Sequence, residues 1–151
     1  MNKFFLLLIF FAAVSCSSGE VYFQYRTVNP EGWDKDSLCV FEIEIPAADV
    51  LYNVYLHIRS MPDYPCQNIW FFLSQENPGG QTAKDTVEYY LADSRGRWLG
   101  KGAGAVKEML VLYAEDYSFE ETGICTFNIG HGMRTERLRG ISEIGMRVEK
   151  K

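Results

Sequence analysis

Two histidines, His57 and His131, and four cysteines, Cys16, Cys39, Cys66 and Cys125, are the side chains of this sequence best suited to nucleophilic or metal chemistry. Neither histidine stands at ligand spacing from a cysteine or from the other histidine. A zinc site would have to be assembled across strands from residues such as His57, Cys39 and Glu42, and no local pattern supports that assembly. A Cys/His nucleophile pair fares no better, because several pairings exist on paper and no signature selects one. Glu42 and Glu44 point the same way from an extended strand, and two carboxylates are the minimum for glycoside hydrolysis, but a solvated strand face presents the same pattern. The stretch Gly96-Arg97-Trp98-Leu99-Gly100-Lys101-Gly102-Ala103-Gly104 superficially resembles a phosphate cradle. A P-loop needs four residues before Gly-Lys, then Ser or Thr, between a strand and a helix. Here the spacing is one short, glycine follows the lysine and the surroundings read as a hairpin, so a wide turn is the simpler assignment. No catalytic, cofactor-binding or metal-binding residue is assigned, and the chain is read as non-enzymatic.

Cys16 is different, because its neighbours specify a chemistry. Lys3 is followed by an unbroken apolar run over residues 4–14 and then by Ala13-Val14-Ser15-Cys16. A positive start, a short apolar core and small residues form a secretory signal, and the run is too short for a transmembrane helix, which needs roughly 20 residues. Small residues ahead of a cysteine look like a bacterial lipobox, in which the sulfur is acylated and the signal is cut away before it. Residues 1–15 are therefore expected to be a cleaved lipoprotein signal peptide. Cys16 is expected to become the lipidated first residue of a short tether over 16–20, and residues 21–151 a single domain. Two or three acyl chains such as palmitate hold a protein stably to a bilayer, each buried CH₂ contributing about 0.8 kcal/mol. The lipid bilayer is thus the first partner the sequence names.

Composition narrows the rest. The chain has 151 residues and a net charge of −5, with its Lys and Arg scattered rather than massed, which argues against nucleic acid as a partner. Aromatic residues make up 15 % of it, a usage that suits sheets packed face to face rather than disorder. Of the cysteines, Cys39, Cys66 and Cys125 remain after acylation of Cys16. One pair could form a disulfide in an exported chain, in any of three pairings, or all three could be small apolar side chains.

From residue 21 onward the pattern has a period of two, broken by turn residues. Strands are expected over 21–28, 38–45, 51–61, 68–74, 86–92, 106–114, 126–129 and 141–148. In the second, Phe41, Ile43 and Ile45 share one face and Glu42 and Glu44 the other. In the third, Tyr52, Val54, Leu56 and Ile58 oppose Asn53, Tyr55, His57 and Arg59. The run Ile69-Trp70-Phe71-Phe72-Leu73 does not alternate and reads as a strand buried on both faces. Residues 137–140 or 47–51 are the candidates for a single helical turn. About eight antiparallel strands without an amphipathic helix indicate an all-β fold, a β-sandwich of jelly-roll type. Trp33, Tyr64 and Trp98 lie near expected turns, where they are either core plugs or an exposed contact surface of the kind on which jelly rolls hold glycans.

The order of short motifs is also familiar. Behind the lipobox come Tyr52-Asn53-Val54-Tyr55-Leu56-His57-Ile58-Arg59, Asp63-Tyr64-Pro65, Asn68-Ile69-Trp70 and Asp85-Thr86-Val87-Glu88. Trp98-Leu99-Gly100-Lys101-Gly102, Met133-Arg134, Leu138-Arg139-Gly140-Ile141 and Ile144-Gly145-Met146-Arg147-Val148-Glu149 follow. This order resembles the gliding motility lipoprotein GldH family of Bacteroidota. The resemblance implies an envelope lipoprotein of the gliding and linked protein-secretion machinery, lipid-anchored at the outer membrane or the periplasmic face of the inner membrane. It implies other envelope proteins as partners, and it carries over Cys16 as the only functional position. The competing expectation is a surface or periplasmic glycan-binding module.

Overall fold

The computed structural model describes residues 19–151; Cys16 and the apolar segment ahead of it lie outside the described residues. The strands are β1 (Glu20–Thr27), β2 (Trp33–Asp34), β3 (Cys39–Ile45), β4 (Leu51–Ser60) and β5 (Asn68–Glu76), then β6 (Thr82–Tyr90), β7 (Lys107–Ser118), β8 (Gly123–His131), β9 (Arg137–Leu138) and β10 (Ile141–Lys150). One sheet has the order β1-β10-β4-β7 and the other β3-β8-β5-β6, with every neighbouring pair antiparallel. The chain changes sheet at each long connection except the β5–β6 hairpin, and its first and last strands lie side by side. That connectivity is the jelly roll expected from the strand pattern.

Each expected strand corresponds to one of the eight long ones. The two-residue strands β2 and β9 pair only with each other, and a strand that short carries no period to read. The described residues contain no helix. Residues 137–140, considered above for a helical turn, instead form β9 and a turn at Gly140, and residues 47–51 are a bend that leads into β4.

The core lies between the sheets and follows the alternation. Cys39, Phe41, Ile43 and Ile45 point inward from β3, and Tyr52, Val54, Leu56 and Ile58 from β4. Burying one such side chain contributes about 1.5–3 kcal/mol, so a slip of one residue, which would turn a whole strand inside out, is strongly disfavoured.

The expectation for β5 is overturned. Ile69, Phe71 and Leu73 are buried, while Trp70 is 38 % and Phe72 is 55 % exposed. Periodicity cannot distinguish an apolar face covered by protein from one left open, and this one is left partly open.

Candidate functional site

At one end of the sandwich the connection between β4 and β5 faces the segment that joins β8 to β10, and a groove of about 980 Å³ opens between them. Its backbone is tightly built. The Met61 amide donates to the Gly140 carbonyl at 2.8 Å, and the Gly132 amide donates to the Trp70 carbonyl at 2.6 Å. Gly140 has φ +81°, and a Cβ there would fall 2.4 Å from the Tyr64 Cα, so only glycine lets the two segments meet.

Trp70, Met133 and Leu138 supply the apolar lining, and Arg134, Arg137 and Arg139 supply positive charge that outnumbers the one carboxylate of the lining, Asp63. These three arginines, close together in a sequence whose other basic residues are scattered, stand on one rim. Among the described residues neither Arg134 nor Arg139 has a carboxylate within ion-pair distance, and Arg137 reaches only Asp34, at 3.9 Å. Trp70 links the groove to the outer face of its sheet, where Phe72 and Leu38, both 55 % exposed, continue the apolar surface. Glycines make this possible. A Cβ at Gly132 would lie 3.1 Å from the Trp70 Cβ and 3.2 Å from the Phe72 Cζ, and one at Gly130 would lie 3.1 Å from the Leu38 Cδ2. The large side chains therefore lie down over the bare end of β8.

The aromatic residues singled out from the sequence do not form an open platform. Trp33 is 1 % and Tyr64 is 6 % exposed, and Trp98 is half-buried against the core. Trp33 donates its Nε1–H to the Ser37 carbonyl at 2.9 Å, and Tyr64 donates its hydroxyl to the Asn68 carbonyl at 2.7 Å. The Tyr64 and Trp98 rings pack at 6.4 Å between centroids. Large rings near turns are the cheapest cover for the open ends of a sandwich, and these serve as that cover. They brace the groove from behind: Trp33 pairs with Leu138 across β2 and β9, and Tyr64 stands between the groove residues Asp63 and Pro65.

On the outer face of the other sheet, His57 is only 5 % exposed, because Phe23 and Tyr25 of β1 lie over it. Its Nδ1 donates to the Glu108 carboxylate at 2.8 Å. Arg59 donates its Nε–H to Glu108 and its Nη1–H to Glu143, each at 2.6 Å, and the Tyr25 hydroxyl donates to Glu108 at 3.0 Å. The Arg59 guanidinium also lies 3.9 Å from the Tyr25 ring centroid. Burial alone would raise the pKa of Glu108, but the bonds from His57, Arg59 and Tyr25 outweigh it and hold the carboxyl below its ordinary 4.5. Burial, then the bond to Glu108, pushes the Tyr25 hydroxyl up to about 12. These side chains tie β1, β4, β7 and β10 together, and the covering rings keep a substrate from reaching the imidazole. The cluster is a clamp across the sheet.

His131, buried beside Trp33, donates its Nε2–H to the Trp33 carbonyl at 3.0 Å, and burial lowers its pKa below 6.5. Cys39, Cys66 and Cys125 are free thiols, and burial pushes Cys39 and Cys125 up to about 11, which leaves them unreactive. Among the described residues no three His, Cys, Asp or Glu side chains gather closely enough to hold a metal ion. Glu42 and Glu44 are exposed on the outer face of β3. In the glycine-rich stretch Lys101 exchanges two backbone hydrogen bonds with Glu108, both at 2.8 Å, so this loop is laid against β7 and is not folded as a cradle.

The comparisons with known proteins agree along the whole chain. It is 33 % identical to the gliding motility lipoprotein GldH homolog of Christiangramia forsetii over 161 residues, covering 99 % of this chain and 98 % of the relative. It is 31 % identical to the gliding motility lipoprotein GldH of Flavobacterium johnsoniae over 157 residues, covering 99 % and 97 %. Among solved structures it is similar to the infectious bursal disease virus VP2 subviral particle, with a TM-score of 0.37 and 10 % identity over 85 % of this chain and 30 % of the viral one. A likeness that slight carries no argument. The sequence profile of the GldH lipoprotein family matches residues 20–148, and the chain belongs to that family.

Proposed function

We propose that this chain is a membrane-tethered component of the cell envelope that works without catalysis, by contact with other envelope proteins of the gliding or linked secretion apparatus. The lipobox supports a tether through acylated Cys16, and the names of both relatives support a lipoprotein of the motility system. The observation that carries the reading is the continuous apolar surface running from Leu38 over Phe72 and Trp70 into the groove. Contiguous apolar surface on a folded domain marks a contact site when it joins a concave feature and is rimmed by charge. The arginines supply that rim.

The test is a photocrosslinking amino acid placed at Phe72 in living cells, with the same residue at Glu44 as a control on the far part of the same sheet. Adducts with an envelope protein, stronger at position 72 than at 44, are the expected result. Adducts with polysaccharide alone would favour the glycan-binding alternative. No adduct above the control would remove this surface as the contact face.

A further inference from the structure

Resting on that contact reading, we infer that the groove takes an acidic, aromatic-bearing peptide segment of its partner. Charge is the first ground. In a chain with net charge −5, Arg134, Arg137 and Arg139 stand within six residues of one another on one rim. They lack close carboxylate partners among the described residues, apart from the 3.9 Å approach of Arg137 to Asp34. An acidic segment is repelled by the rest of the surface and attracted here, which gives both orientation and discrimination. Guanidinium groups suit carboxylates because their paired N–H groups match the two oxygens.

The lining chooses between a peptide and an acidic glycan. Trp70, Met133 and Leu138 offer apolar contact, and besides the arginines the polar side chains of the lining are Asp63, Asn68 and Thr135. The Asn68 side-chain amide already donates to Glu88 at 2.5 Å and the Thr135 hydroxyl to the Arg137 carbonyl at 3.1 Å. Two of these three are therefore engaged within the protein, which favours a peptide held by charge and apolar contact over a glycan. Beyond Trp70 the exposed Phe72 and Leu38 extend the apolar contact past the groove, as an aromatic or aliphatic side chain of a longer segment would need.

The experiment is fluorescence anisotropy on the full-length lipoprotein in detergent with three labelled octapeptides: alternating Asp and Phe, alternating Lys and Phe, and all Asp. The Asp/Phe peptide is expected to bind at least about tenfold more tightly than either of the others. In Arg134→Glu/Arg137→Glu/Arg139→Glu, first shown to keep the parent's cooperative melting transition, the preference should invert toward Lys/Phe. Trp70→Ala should lower the affinity for Asp/Phe and bring it close to that for all Asp. Equal binding of Asp/Phe and Lys/Phe, or an unchanged preference in the triple variant, would overturn the inference. So would displacement of the Asp/Phe peptide by alginate, an acidic polysaccharide, at lower carboxylate concentrations than all-Asp peptide requires. If any of these occurs while position 72 still crosslinks to an envelope protein in cells, the contact reading stands and only the ligand chemistry fails.

Discussion

Gly140 and Tyr64 meet backbone to backbone: a Cβ on residue 140 would stand 2.4 Å from the Tyr64 Cα and 2.5 Å from its amide nitrogen. This approach fixes the distance between the two segments that wall the groove. The obstructing atoms belong to the main chain, so no side-chain rotation relieves the clash. Gly140→Ala should therefore destabilise the domain by about 2–4 kcal/mol, through the collision and through alanine at φ +81°. Urea unfolding measures it. A loss below about 0.5 kcal/mol would mean that the segments separate freely.

The clamp on the opposite sheet makes a prediction about acid. Glu108 is held below its ordinary 4.5, so its stabilisation is present above that value and is lost as pH falls through the lower folded one. Glu108→Gln should cost about 1–3 kcal/mol at neutral pH, because Arg59 and His57 lose a charged acceptor. It should also flatten the fall in stability below pH 4.5, which unfolding at a series of pH values would show.

His131 acts in a higher window. Burial depresses its pKa below 6.5, so the unfolded chain takes up a proton there more readily than the folded one. Stability should fall as pH drops below 6.5, since the unfolded state gains from each proton bound. His131→Gln keeps a donor for the Trp33 carbonyl and removes the titration. Its stability is expected to be nearly flat between pH 6.5 and about 5, where the parent declines.

Cys16→Ser removes the proposed acceptor of the acyl chains. The variant should leave the membrane fraction while its melting temperature stays that of the parent, because residue 16 precedes β1. Persistence in the membrane fraction would mean that something other than lipid holds the chain there.

How far the sequence leads differs between the fold and the site. The inward face of β3 is legible because Phe41, Ile43 and Ile45 alternate with glutamates, and the jelly roll follows from repeating that pattern. Phe72 misleads for a physical reason. An apolar side chain on the outer face is read as covered, yet its cover comes from elements far away in sequence, and here Gly130 and Gly132 leave it bare. His57 shows the opposite case, an outward position sealed by Phe23 and Tyr25 more than thirty residues earlier. Trp33 and Tyr64 were legible as large rings near turns, but only their neighbours decide whether such rings plug or protrude. The groove itself joins residues near 65 to residues near 135, and no local pattern spans that distance. Two local signals were available, the apolar run at Ile69–Leu73 that failed to alternate and the close spacing of Arg134, Arg137 and Arg139.

Trp70 and Phe72 carry the central claim, because both are exposed; each still packs part of its surface over the end of β8, so replacing the pair should cost folding about 1–3 kcal/mol. The direct measurement is quantitative crosslinking mass spectrometry on intact cells that express either the parent chain or Trp70→Ala/Phe72→Ser, with the double variant first shown to be fully folded at the growth temperature. The expected result is that the parent yields envelope-protein crosslinks and the double variant loses them while staying in the membrane fraction. Crosslinks retained at parental intensity in the double variant would contradict the account, because the contact face would then lie elsewhere on the sandwich.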